Sequence, residues 1–104
     1  MISVKVVKNN DKIKKISTMG HAMYDDYGKD IVCASVSTLV ISTVNNILSL
    51  SKDSINVINS DGKVIIDVKE NDNITITLLN NMLNNLNILA SNYPENIKII
   101  NEEE

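Results

Sequence analysis

Asp30-Ile31-Val32-Cys33-Ala34-Ser35-Val36-Ser37-Thr38-Leu39-Val40-Ile41-Ser42-Thr43-Val44-Asn45-Asn46-Ile47-Leu48-Ser49-Leu50 is the stretch that decides the fold. It is rich in β-branched residues, which are stiff at χ1, so a residue-by-residue count of preferences reads it as strand. Period and length read otherwise. Val32, Val36, Leu39, Val40, Thr43, Ile47 and Leu48 recur at steps of three and four, and some twenty unbroken residues far exceed an ordinary strand. The stretch is predicted as one helix with Asp30 as its N-cap. Six Ser or Thr and the pair Asn45-Asn46 interrupt its apolar character, which argues against a transmembrane span.

Outward from that helix the pattern changes. On its N-terminal side, Ile2 to Val7 and Ile13 to Met19 alternate and are joined by Lys8-Asn9-Asn10-Asp11-Lys12, which reads as a hairpin. On its C-terminal side a second hairpin, Ser54 to Asn59 and Lys63 to Lys69, turns at Asn59-Ser60-Asp61-Gly62, where Asp-Gly suits a tight turn. Asn73 to Asn92 then places Leu79, Met82, Leu83, Leu86, Leu89 and Ala90 on one stripe, with asparagines opposite, before Pro94 stops it. A last strand, Asn96 to Ile100, leads into an acidic tail, Glu102-Glu103-Glu104. The expected architecture is α+β, a single domain over 1–104 in the order ββαββαβ, with one sheet packed against two helices. The two ββα units are compatible with a distant duplication.

A chain of 104 residues can bury a core large enough to need no staple. Its single cysteine cannot form an internal disulfide, and the start Met1-Ile2-Ser3-Val4-Lys5-Val6 lacks the pattern of a signal peptide, so a cytoplasmic setting is expected. Net charge is −3, arginine is absent, and the aromatic residues are Tyr24, Tyr27 and Tyr93. Nothing there reads bases, so no direct nucleic-acid partner is expected. Lys5, Lys8, Lys12, Lys14 and Lys15 alternate with apolar residues as a solvated strand face does. Asparagine and isoleucine, sixteen each, read as coding bias. One His and one Cys fall short of a metal site, and no metal or cofactor is expected.

The chemistry concentrates in Gly20-His21-Ala22-Met23-Tyr24-Asp25-Asp26-Tyr27-Gly28-Lys29-Asp30-Ile31-Val32-Cys33. A thiolate is a strong nucleophile, and an imidazole can take the thiol proton and return it to a leaving amine. His21 falls at a strand end and Cys33 in the first turn of a helix, where free N–H groups and the helix dipole favour a negative sulfur. The same N–H groups, that of Cys33 included, are expected to stabilise an oxyanion. Asp30 has two readings: a cap on backbone N–H groups, or a partner that fixes the His21 tautomer. Ser37, one turn beyond Cys33, can either hydrogen-bond the sulfur or bond back to a helix carbonyl. The acidic and aromatic loop Tyr24 to Tyr27 has two readings: an ordinary polar surface loop, or one that attracts a basic chain and covers its apolar side chains. A non-catalytic partner-binding or ribosome-assembly module, with Cys33 merely packed, is the alternative.

Gly20-His21-Ala22, then Tyr27-Gly28-Lys29-Asp30-Ile31-Val32-Cys33-Ala34 and Ser37, resembles the signature of the ribosomal-processing cysteine protease Prp family, and the likeness extends to Val44-Asn45 and Glu95-Asn96-Ile97. The resemblance implies a small cytosolic homodimer that removes the N-terminal extension of a large-subunit ribosomal protein, number twenty-seven. It implies Cys33 as nucleophile, His21 as general base and acid, Asp30 and Ser37 in support, and the loop Ala22 to Lys29 over the substrate. Gly20, Ala22, Tyr24, Tyr27 and Gly28 are the residues then expected to meet the peptide. Asp25, Ser35 and Ser42 stand where related sequences often have glycine, which bears on loop mobility and close helix packing.

Overall fold

Asp30 starts the first helix. Its backbone is extended (φ −80°, ψ 99°), and its Oδ1 accepts the N–H groups of Val32 and Cys33, two of the donors that a helix start leaves unpaired. Helix α1 runs Ile31–Leu50 in the computed structural model, which describes residues 1–26 and 30–104. The helix overrides its β-branched composition because its stripe has a sheet to cover: Val32, Val36, Val40, Thr43, Val44 and Ile47 are buried. Leu48, expected on that stripe, is exposed; one step of about 100° past Ile47, it turns away, and Val44 packs instead. By length and hydropathy α1 would suffice to cross a bilayer, but here its apolar stripe forms the core.

The strands are β1 (Ile2–Asn9), β2 (Lys12–Gly20), β3 (Ile55–Ser60), β4 (Lys63–Val68) and β5 (Ile97–Glu103), and α2 (Asn73–Asn92) completes the order ββαββαβ. They form one mixed sheet in the order β3-β4-β2-β1-β5, antiparallel except for the parallel pair β1 and β5. Period-2 alternation decides its faces. Val4, Val6, Ile16 and Ile66 are fully buried with Val32, Val40 and Ile47 of α1 and Leu79, Met82 and Leu86 of α2, so both helices share one face. Lys5 and Lys15 lie exposed, as the alternation of the lysines predicted.

The acidic tail departs from expectation. β5 continues through Glu103 and stays paired with β1 as far as Lys8 opposite Glu103, and Lys5 Nζ meets Glu102 Oε2 at 2.7 Å. A cross-strand lysine, Lys5, thus helps to hold Glu102 in the ladder. Ser35 and Ser42, flagged for close helix packing, are exposed and bond back to the carbonyls of Ile31 and Thr38 at 2.7 and 2.6 Å. They crowd nothing in the core.

Five chain segments converge at one end of the sheet. The end of β2 is tied to the β3–β4 turn by Gly20 N–H to Gly62 O at 2.9 Å. The corner between α2 and β5 is tied to the start of β1 by Ile2 N–H to Asn96 O at 2.8 Å. The start of α1 faces both.

Candidate active site

Cys33, third residue of α1, is half-buried at the rim of the core. Its sulfur accepts the Ala22 N–H at 3.1 Å. Because Ala22 follows His21 directly, that bond sets the backbone of the histidine one residue from the sulfur-bound peptide. Ala22 is itself fixed: its methyl is buried in the core and its carbonyl accepts Asn96 Nδ2 at 2.9 Å. His21 is exposed, with its imidazole over the β3–β4 turn; a Cβ built on Gly62 would lie 3.6 Å from Nε2 and 4.0 Å from Cε1. Both residues line one cleft of about 770 Å³ between α1 and the β2 and β4 strand ends. Its walls are largely apolar: Met19, Met23, Val36, Val40, Ile41 and Val64.

Asp30 resolves as a cap and a clamp. Oδ1 holds Val32 and Cys33, while Oδ2 accepts Tyr24 N–H at 3.0 Å and Asp25 N–H at 3.4 Å. With both oxygens on backbone donors, the carboxylate secures the helix start and the loop leading into it. Among the described residues no hydrogen bond links it to His21. Desolvation pushes the Asp30 carboxyl up, but the backbone donors Cys33, Tyr24, Asp25 and Val32 together outweigh it and leave it below its ordinary value of 3.8. A depressed carboxyl contributes stability that is whole above the unfolded value and fades as pH falls through the folded one. The stability gap between the protein and Asp30→Ala is therefore expected to be widest near neutral pH and to narrow as pH falls below 3.8. Urea unfolding across that range measures it; a gap equally wide in acid would mean the charge contributes nothing.

The oxyanion expectation needs correction. The Cys33 N–H donates to Asp30 Oδ1 at 2.9 Å and the Ala22 N–H to Cys33 Sγ at 3.1 Å, so neither is free for a substrate oxygen. Ala22, expected to meet substrate, acts through its backbone, since its side chain is in the core. Tyr24, expected over the peptide, packs its ring edge-on against Tyr93, with centroids 5.4 Å apart. Gly20 lines the cleft, as does Ser37, which among the described residues bonds neither to the sulfur nor to a helix carbonyl. Tyr27 and Gly28 lie outside the described residues. Sequence reasoning missed the cleft contributions of Asn59, Ser60 and Lys63 and the grip of Asn96, because contacts between distant segments leave no local signal.

A cysteine at a helix start and a histidine at a strand end, sharing one apolar cleft, are the fittings of a thiol peptidase. The family model of cysteine protease Prp matches residues 1–98. The ribosomal processing cysteine protease Prp of Staphylococcus aureus is 33% identical over 103 residues, covering 95% of this chain and 97% of that one. Two crystal structures of the Staphylococcus aureus protease superpose closely. The one with a covalently linked product peptide gives a TM-score of 0.93 at 30% identity, covering 98% of this chain and 100% of that chain. The one with a substrate peptide gives 0.87 at 28% identity with the same coverage. This protein is a cysteine protease, and it belongs to the Prp family. The reading as a non-catalytic module is set aside.

Proposed function

We propose that the protein is an endopeptidase that removes the N-terminal extension of large-subunit ribosomal protein number twenty-seven, with Cys33 as nucleophile and His21 as its base and acid. The observation that carries this reading is the Ala22 N–H to Cys33 Sγ bond at the head of the cleft, which joins base and nucleophile through one peptide. His21 takes the thiol proton and the sulfur attacks the scissile carbonyl. The C–N bond then breaks as His21 returns its proton to the amine, and water, deprotonated by His21, releases the acyl group from sulfur.

Substrate class follows from the walls. Apolar side chains flanking the scissile bond suit Met19, Met23, Val40 and Ile41, and the carboxylates of Asp25 and Asp30 on the lining favour a basic chain beyond them. The Staphylococcus aureus relative, a ribosomal processing protease, has been captured with substrate and product peptides. The same reading makes this protein a cytosolic homodimer, which sedimentation of the purified chain tests. The direct assay is shortening of the ribosomal protein precursor by purified protein, read by mass. His21→Ala is expected to slow cleavage by a factor on the order of 10³, consistent with the loss of a general base. An intact precursor after prolonged incubation with the unsubstituted protein would refute the substrate.

A further inference from the structure

We propose that Asn96 is a positioning residue for the nucleophile, acting through the Ala22 backbone; the proposal rests on the reading of Cys33 as nucleophile. Asn96 stands 74 residues from Ala22 in sequence, yet its Nδ2 donates to the Ala22 carbonyl at 2.9 Å, and Ala22 N–H donates in turn to Cys33 Sγ at 3.1 Å. The asparagine is well anchored. Its N–H bonds to Tyr93 O at 3.0 Å, and its own carbonyl accepts Ile2 N–H at 2.8 Å, so α2 and β1 both hold it.

What the bond does follows from the next residue. Rotating the peptide between Ala22 and Met23 changes ψ of Ala22 and φ of Met23 together, and Met23 sits at φ 59°, a left-handed conformation that a methionine adopts only under constraint. Asp30 Oδ2 holds the chain on the far side of Met23, at Tyr24 and Asp25. Asn96 holds it on the near side. Released there, the peptide would rotate to relieve Met23, Ala22 would turn about its Cα, and the N–H aimed at sulfur would swing away with the neighbouring His21. The Tyr24 ring on Tyr93 brings the same corner against the same loop. The region between α2 and β5 is thereby a second support for the nucleophile and its base, remote in sequence from both.

Three variants test this. Asn96→Ala removes the donor, Asn96→Asp keeps the shape but aims an acceptor at the Ala22 carbonyl, and Asn96→Gln keeps the amide. Cleavage of a synthetic peptide spanning the processing site should lose about tenfold or more in kcat in Ala and Asp, with KM little changed, because misplacement of reacting groups falls on turnover. Asn96→Gln should recover part of the loss. The readout that a purely structural role would not move is the time course of Cys33 alkylation by iodoacetamide at neutral pH. With the Ala22 N–H and His21 displaced from the sulfur, alkylation should slow severalfold in the folded Ala and Asp variants relative to the unsubstituted protein. If Asn96→Ala fails to fold, the isosteric Asn96→Asp carries the test. Unchanged kcat and an unchanged alkylation time course in a folded variant overturn the proposal. Cys33→Ala, run alongside, separates the two readings: if it cleaves normally, the nucleophile assignment has failed, whereas a dead Cys33→Ala beside fully active Asn96 variants removes Asn96 alone.

Discussion

Cys33→Ala is expected to abolish peptide cleavage, with a loss on the order of 10⁵ or more, while the domain still unfolds cooperatively. On the proposed reading the chemical loss is complete, because the chain contains a single thiol and the imidazole of His21 would have nothing to activate without it. The structural loss is bounded by what the sulfur touches. Cys33 is half-buried at the rim of the core, so truncation opens no large cavity, but it deprives the Ala22 N–H of its acceptor. Leaving that donor unpaired costs about 1–3 kcal/mol. Cys33→Ser separates the two effects. Its hydroxyl can still accept from Ala22, so stability should return toward the parent while cleavage stays absent, since a serine oxygen beside this histidine is a far weaker nucleophile near neutral pH. Calorimetry and timed peptide cleavage on the same preparations measure both. Cleavage by folded Cys33→Ala, beyond trace contamination, would sink the assignment.

Legibility of the chain tracked how local the physics is. The helix Ile31–Leu50 was readable despite its valines and isoleucines, because a stripe of period near 3.6 is a property of the segment itself. Asp61-Gly62 and Pro94 marked their turn and helix end for the same reason. Asp30 was legible as a cap from its place before the apolar run, but its second grip, on the N–H groups of Tyr24 and Asp25, has no such local signal and was not. The strand at Glu102-Glu103 was hidden because its partner, β1, lies at the other end of the chain, and glutamates have no strand preference of their own. His21 and Cys33 could be nominated by residue type and by their resemblance to a known family. That Ala22 stands between them as a donor, and that the Cys33 N–H is already taken, are facts of three-dimensional packing.

Gly20→Ala should be the more damaging of the alanine substitutions at the two described glycines, Gly20 and Gly62. Gly20 sits at φ 98°, outside the range an alanine tolerates well, and a Cβ there would run into the backbone carbonyl oxygen of Met1. Neither obstacle yields cheaply: the φ is set by the turn from β2 into His21, and the oxygen belongs to main chain that cannot rotate aside like a side-chain tip. Strain and clash together are expected to cost about 3 kcal/mol or more. The damage should also reach the chemistry. To make room, Met1 must withdraw, and Ile2 follows; Ile2 N–H is bonded to Asn96 O, and Asn96 in turn holds Ala22 against Cys33. Gly62→Ala is the natural control. It too is left-handed, at φ 67°, but the nearest atom to its built Cβ is His21 Nε2 at 3.6 Å, an ordinary contact, so its penalty should stay near the ~1 kcal/mol of a left-handed alanine. Urea unfolding of both variants, with Cys33 alkylation measured on whatever remains folded, ranks them. Equal stabilities would mean that Met1 moves freely, and that the chain of contacts from β1 to Cys33 is slack rather than rigid.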